Sequence, residues 1–464
     1  MNFASLQFWT ILALCFLGSR VILFAVSRLA SSSEATVAKL CLLGTALTLL
    51  AAESWLTLGA FLWVVGFGWI AVRSNDLRPP WRTPAFLLLL LIQLTPLFYY
   101  KYWNFVFNGV LGLDWRIPSV LIPMGLSFYT FQTLAFWIDS RQQHARVPTL
   151  LDYLNFCSFF PQIVAGPIER RVELLPQIED TRYRIDLKAL DPALRWIVLG
   201  LAYKLIVADN LGNYMESMRV MAGNPWHVWL ECIVFGLRIY FDFAGYSFIA
   251  VGLGLLFGVK LTLNFTSPYW SPSPREFWRR WHVSLGSWLR DYVYRPMGGS
   301  LHRPWLSLIV VFLVSGVWHG AGWGFLIWGL LHGAGVAVCR MTKLPALPAW
   351  IGIPLTFLFV TAAWLPFFER NASLLHLKAG AMLNPCAYLS NIPNVAGLFA
   401  QPAESAGILL ILGIATIAII LERVHRRSSS PYQLLRSTPV MLASAAAIVL
   451  LAPSGGSPFI YFNF

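Results

Sequence analysis

Charge is what this sequence is short of. Only 12% of its 464 residues are Asp, Glu, Lys or Arg, while 57% are hydrophobic. Soluble domains carry about a quarter charged residues, and no stretch here is polar enough to form a separate soluble domain. A soluble enzyme, a disordered chain and a nucleic-acid-binding module are thereby excluded, the last despite a formal net charge of +13. Cysteine is scarce as well. Cys15, Cys41, Cys157, Cys232, Cys339 and Cys386 lie scattered with no CxxC spacing, so they read as small buried hydrophobes rather than a metal or redox site. Met1 to Gln7 contain no Lys or Arg, and no small-residue cleavage site follows the first apolar run, so that run is expected to stay as a membrane span. Internal repeats and low-complexity tracts are absent too.

What is present is a succession of apolar runs. A spanning helix needs about 20 mostly apolar residues, and runs of this kind lie near 8–27, 36–52, 54–72, 85–100, 118–138, 192–207, 227–257, 304–320, 323–339, 350–368, 407–422 and 439–452. The expected fold is therefore all-α: one polytopic membrane domain over 1–464 with about 11–12 transmembrane helices, plus re-entrant and amphipathic interfacial helices. The segment 150–167, broken by Pro161 and Gly166, suits a re-entrant element, because broken backbone is tolerated at membrane depth only inside protein or beside a cavity.

Positive charge orients this plan. Arg73, Arg78 and Arg82 mark one connection, and Arg141 and Arg146 a second. Arg170, Arg171, Arg182, Arg184 and Lys188 mark a third. Arg275, Arg279, Arg280, Arg290, Arg295 and Arg303 mark the largest, and Arg423, Arg426, Arg427 and Arg436 the last. With these spans all five fall on one side, which the positive-inside rule makes cytoplasmic. The connection from Asn371 to Ser405 holds only Lys378 and Glu404 as charges and falls on the other face.

Two regions carry chemistry. In 271–303, Ser273 is a helix N-cap, Pro274 the first helical residue, and Glu276 lies three residues after the cap. Phe277/Trp278, Trp281, Leu285, Trp288/Leu289 and Tyr292 then repeat with the helical period. One amphipathic helix over about 274–292 is predicted, lying in the membrane surface with Arg279, Arg280 and Arg290 on its polar face. Those arginines serve topology and lipid headgroups, or attract an anionic, phosphate-bearing donor. His282 stands at the border of the two faces.

The second region, 317–333, reads VWHGAGWGFLIWGLLHG. An ionisable residue within a membrane segment is costly and has a functional or pairing reason. His319 sits among glycines with Trp318, Trp323 and Trp328 around it. A neutral imidazole there is a natural base for moving an acyl group onto a hydroxyl, though a structural histidine is the other reading. His332 reads as structural. No HxxxH or HExxH accompanies these histidines and no GxSxG is present, so neither a metal site nor a serine nucleophile is expected.

Together these regions resemble the membrane-bound O-acyltransferase family, within it the bacterial branch of alginate O-acetyltransferase and the D-alanyl-transfer protein of teichoic acids. The resemblance rests on Pro161–Gln162 with Ala165–Gly166–Pro167, Tyr240–Phe241–Asp242–Phe243 with Gly245–Tyr246–Ser247, and Asn264–Phe265 with Pro268–Tyr269. It continues through Phe277–Trp278–Arg279–Arg280–Trp281–His282, Trp288 to Tyr292, Gly298–Gly299, Trp318–His319–Gly320, Trp323, Trp328–Gly329 and the terminal FIYFNF. The WRRWH and WHG histidines stand 37 residues apart, and the matches run in order from about 120 to 333. Phe248 and Gly322 depart from the alginate-type pattern, which has an acid and an asparagine there; YRPMGGS, in contrast, is closer to the alginate type than to the D-alanyl type.

The resemblance implies that His319 is the catalytic histidine and His282 the second histidine of the signature. It implies acetyl-CoA as donor substrate, with no bound cofactor, and passage of the acetyl group from a cytoplasmic donor to the opposite face of the bacterial inner membrane. It further implies a periplasmic SGNH-type acetyltransferase partner and a polysaccharide biosynthesis complex, acting on an exopolysaccharide of alginate or cellulose type. Arg279, Arg280, Trp281, Arg290, Asp242, Trp318 and Trp323 are then the expected donor and cavity residues, Asp242 either holding a histidine or pairing with an arginine. D-alanyl transfer and peptidoglycan O-acetylation are alternatives within the family. A transporter or flippase, or a membrane scaffold for a polysaccharide synthase, are the alternatives outside it.

Overall fold

A computed structural model describes residues 3–29, 34–118, 121–142, 146–299, 303–341, 347–391, 393, 396–424, 432–453 and 457–460. Of the expected features, Arg426, Arg427 and the last four residues of the FIYFNF tail lie outside the described residues. Regular structure among the described residues is helical, apart from one isolated antiparallel bridge between Phe265 and Trp281.

The chain forms two compact units, Met1–Ile197 with Tyr246–Thr262, and Val198–Gly245 with Leu263–Phe464. The first unit holds α1 (Leu6–Leu29), α2 (Glu34–Glu53), α3 (Trp55–Arg73), α4 (Pro79–Leu97), α5 (Leu126–Gln142), α6 (Leu150–Ser158), α7 (Arg171–Glu179) and most of α8 (Leu190–Leu201). Local chemistry sets the starts: Ser54 and Thr149 each accept a backbone N–H three residues on, at 3.0 and 3.1 Å. After Ser158 the chain turns through 159–166, buried throughout, as the proline and glycine of that segment predict. Gly166 is obligatory there, since a Cβ would overlap the backbone of Gln162.

The second unit contains α9 (Asp209–Ser217), the first part of α10 (Pro225–Leu256), α11 (Pro274–Arg280), α12 (Val283–Leu289), α13 (Pro304–His319) and α14 (Trp323–Met341). It continues with α15 (Ala349–Ala363), α16 (Leu365–Phe368), α17 (Ala372–Leu383), α18 (Pro385–Ser390), α19 (Pro402–Val424) and α20 (Thr438–Leu451). At 32 residues, α10 is about 48 Å long at 1.5 Å per residue, well beyond a bilayer's hydrocarbon core. The hairpin α13–α14 packs backbone to backbone. A Cβ at Gly316 would strike the Phe325 carbonyl, and one at Gly329 the Phe312 carbonyl, which is the close approach small residues permit between membrane helices.

Eight of the described helices are long and apolar enough to cross a membrane, and α13 and α20 are shorter apolar helices. The remaining expected runs, 118–138 and 192–207, contain α5, whose residues are largely buried, and α8, which passes into a π-helical turn over Ala202–Ala208. The chain is an all-α, multi-pass membrane protein.

One expectation is corrected. The predicted single helix over 274–292 is three pieces: α11, α12 and a π-helical turn over Arg290–Tyr294. The break falls at His282, whose backbone is left-handed at φ 45° and ψ 55°. Phe277, Arg280, Trp281, His282, Leu285 and Leu289 are buried, while Arg275, Arg279 and Arg290 are exposed, so Arg280 leaves the polar face expected for it. Cys386 also departs from expectation by being exposed.

Candidate active site

The site is built within the second unit. Ser273 caps α11 by accepting the Glu276 N–H at 3.2 Å, with Pro274 as first helical residue. Past α11 the chain pairs with 264–266: Thr266 N–H donates to the Arg280 carbonyl and Val283 N–H to the Asn264 carbonyl, both at 3.1 Å. Between these two bonds sits His282, 1% exposed. Its ring meets Phe243 edge to face at 4.6 Å and the Trp318 ring at 5.8 Å.

His319 ends α13 and is 3% exposed. Its ring lies 4.8 Å from Trp318, 5.0 Å from Trp328 and 5.3 Å from Phe367, each at a steep angle. The Trp318 indole thus stands between the two histidines. His332, one helix away on α14, is fully buried; its Nδ1 accepts the Trp278 indole N–H at 3.2 Å, and Trp328 and Phe359 flank it at 4.9 and 5.5 Å. Its place is behind the site, holding Trp278.

A cavity of about 420 Å³ opens beside His282. Arg275, Arg279, Arg290 and Arg340 line it together with Tyr294, Ser287 and Ser315, and Trp278, Val283, Leu285, Val311 and Phe312 form apolar wall. Ser315 is buried, and its Oγ meets no hydrogen-bond partner among the described residues. Cationic side chains, a polar strip and an apolar wall suit a ligand that carries phosphate at one end and an uncharged arm at the other.

The structure separates the expected site residues. His282, Arg279 and Arg290 line the cavity, and Trp318 links the two histidines. Arg280 does not reach the cavity: it is buried, and its Nε and Nη2 both donate to Glu276 Oε1, at 2.9 and 2.7 Å. Trp281 is in the core, stacked on Phe277 at 5.3 Å. Trp323 is 58% exposed at the start of α14. Among the described residues, Asp242 neither holds a histidine nor pairs with an arginine. Its Oδ1 meets Lys204 Nζ at 2.6 Å and its Oδ2 accepts the Ile460 N–H at 2.7 Å, with Asp209 a second carboxylate on Lys204 at 2.7 Å.

Sequence reasoning missed Arg275, Arg340 and Ser315 as cavity residues, and Lys204 as the partner of Asp242. Arg275 and Lys204 carry the usual signal of charge beside or within an apolar run. Ser315 and Arg340 reach the cavity only through the packing of α13 and α14, which leaves no local mark.

Histidines walled by tryptophan, beside an arginine-lined cavity in a helical membrane chain, make up the candidate site. Comparison with known proteins names the class. The sequence profile of the membrane-bound O-acyltransferase family matches residues 138–367. A peptidoglycan O-acetyltransferase of Helicobacter pylori is 30% identical over 453 residues, 85% of each chain. A probable alginate O-acetylase of Pseudomonas putida is 31% identical over 443 residues, 88% of this chain and 89% of its own. A teichoic acid D-alanyltransferase of Streptococcus thermophilus is 30% identical over 237 residues, 47% of this chain and 57% of its own. The chain belongs to the membrane-bound O-acyltransferase family and is an O-acyltransferase.

Proposed function

We propose that the enzyme takes an acetyl group from acetyl-CoA at the cavity beside His282, on the cytoplasmic face of the bacterial inner membrane. It delivers the group across the membrane for O-acetylation of an exopolysaccharide of alginate or cellulose type, directly or through a periplasmic SGNH-type partner. The observation that carries this reading is the cavity itself, with four arginines in its lining and its His282 wall joined to His319 through Trp318. Arg275, Arg279, Arg290 and Arg340 attract the donor's phosphates, and the apolar wall accepts its uncharged arm.

His319 takes the proton of the acceptor hydroxyl as the new oxygen–carbon bond forms. The carbon–sulphur bond breaks, and the proton returns to the leaving thiolate, giving an ester and the free thiol of coenzyme A. The surrounding rings keep water from the thioester.

His319→Ala, with membrane insertion verified, is expected to lower acetyl transfer by about 10²–10⁴-fold, the usual worth of a general base. Acetyl ester on the polymer is the readout, and wild-type ester content in the variant would remove the base from His319. Peptidoglycan is the second acceptor to consider, because the Helicobacter pylori relative covers 85% of both chains. Labelled acetyl groups recovered in peptidoglycan rather than in secreted polysaccharide would decide for it.

A further inference from the structure

We propose that Asn264 is a positioning residue for His282. It fixes the imidazole as the Nδ1–H tautomer, so that Nε2 carries the lone pair and serves acyl transfer as a hydrogen-bond acceptor. The use of that acceptor rests on the donor-site reading above; the tautomer rests on geometry alone.

Asn264 is fully buried, and its Oδ1 accepts the backbone N–H of Ser284 at 3.1 Å. A backbone N–H is always a donor, which identifies the atom facing it as the amide oxygen; the flipped amide would set an NH2 group against it. The same Oδ1 lies 3.4 Å from His282 Nδ1. An oxygen lone pair facing a nitrogen lone pair is repulsive, so Nδ1 carries the hydrogen. A neutral imidazole has one N–H, and Nε2, across the ring, is left as the acceptor.

The arrangement is held rigidly. A non-glycine residue in the left-handed region is disfavoured and persists where its surroundings over-determine it. At His282 they do so through the 264–266 pairing and through Gly286 N–H, which donates to the His282 carbonyl at 3.0 Å. His332 has the opposite assignment. Its Nδ1 accepts from an indole N–H, an obligatory donor, which places its hydrogen on Nε2.

The assignment selects among roles for His282. A neutral imidazole with its lone pair on Nε2 cannot donate through that atom to a developing oxyanion. It can accept from an N–H or O–H, and the amide groups of a pantetheine-type arm supply the former.

The test reads the tautomer directly. Full-length protein labelled with ¹⁵N-histidine is placed in lipid bilayers, and the ring nitrogens of His282 are assigned by difference against His282→Gln. The expected spectrum has a protonated Nδ1 and a bare Nε2; protonation of Nε2, alone or together with Nδ1, overturns the proposal. Asn264→Leu is expected to lose the Nδ1–H signature and to lower kcat/KM for the donor by about 100-fold, the scale of a small misplacement, with donor KM raised because a contact to the bound donor is lost. An unchanged signature in that variant removes Asn264 from the role. Asn264→Asp keeps an acceptor oxygen for both donors and adds a negative charge, so in that variant Nδ1 is expected to stay protonated with a proton drawn onto Nε2 as well; a ring left with a bare Nε2, as in the wild type, removes Asn264 from the role even if the leucine variant does not fold. Because the spectrum does not depend on turnover, a different donor or acceptor would leave this result standing.

Discussion

Four arginines line the cavity, but their partners differ. Arg290 pairs with Asp291 at 3.0 Å and Arg279 with Glu276 at 3.5 Å, both with largely exposed side chains, while Arg340 donates to the Tyr294 hydroxyl at 2.7 Å. Exposed pairs of this kind are worth about 0–1 kcal/mol, so Arg279 can turn to a phosphate at little cost. Arg279→Gln is expected to raise the donor KM by about 2- to 5-fold at low salt, with the difference shrinking as screening increases. A KM difference indifferent to salt would count against phosphate attraction. Arg280→Gln, one residue on, should behave otherwise. It removes a buried guanidinium and its two hydrogen bonds to Glu276, which keeps only the longer contact with Arg279, at a cost of about 1–3 kcal/mol, so the expected result is a lowered melting temperature with donor KM unchanged.

At the scale of elements, the sequence specifies faces better than breaks. The apolar period over 277–292 is real, since Phe277, Trp281, Leu285 and Leu289 are all buried. Yet it runs unbroken through His282, where the chain reverses into the left-handed region with neither glycine nor proline to announce it. The cause is tertiary: the pairing of 264–266 with 280–283 pins the turn, and no local propensity encodes it. The glycine-rich stretch around His319 was more legible, because close helix approach leaves small residues at regular places. Gly329→Val is expected to force α13 and α14 apart and to cost about 1–3 kcal/mol or more, as overpacking does, read as a drop in melting temperature in detergent. Gly322→Ala is the control. Its Cβ would lie 3.6 Å from the Phe325 ring, an ordinary contact, and a change within about 0.5 kcal/mol is expected. Equal melting of both variants with the wild type would show that the hairpin tolerates separation.

Across the whole molecule, scarcity of charge made each charged group informative, and pairing decided what it did. Lys204, Asp209 and Asp242 satisfy one another in the core and anchor the Ile460 backbone. Lys378 is likewise held by Glu231 and Glu369 at 2.9 and 2.8 Å. Asp242 reads as a site candidate in one dimension because Lys204, 38 residues away, is invisible there, as is the partner of Lys378 147 residues away. The net positive charge is different: it gathers in the basic connections. On the proposed cytoplasmic placement of those connections, which follows the positive-inside rule, 371–405 faces outward. Cys386, in α18, is exposed, whereas Cys157 and Cys232 are buried and the other three half-buried. A membrane-impermeant maleimide added to intact cells is therefore expected to label the native protein, and Cys386→Ser to abolish most of that labelling. A cysteine introduced at Arg279 in the Cys386→Ser background should react only after the membrane is permeabilised. Labelling of Arg279→Cys from outside, with Cys386 protected until lysis, would invert the topology and put the donor cavity on the wrong face for acetyl-CoA.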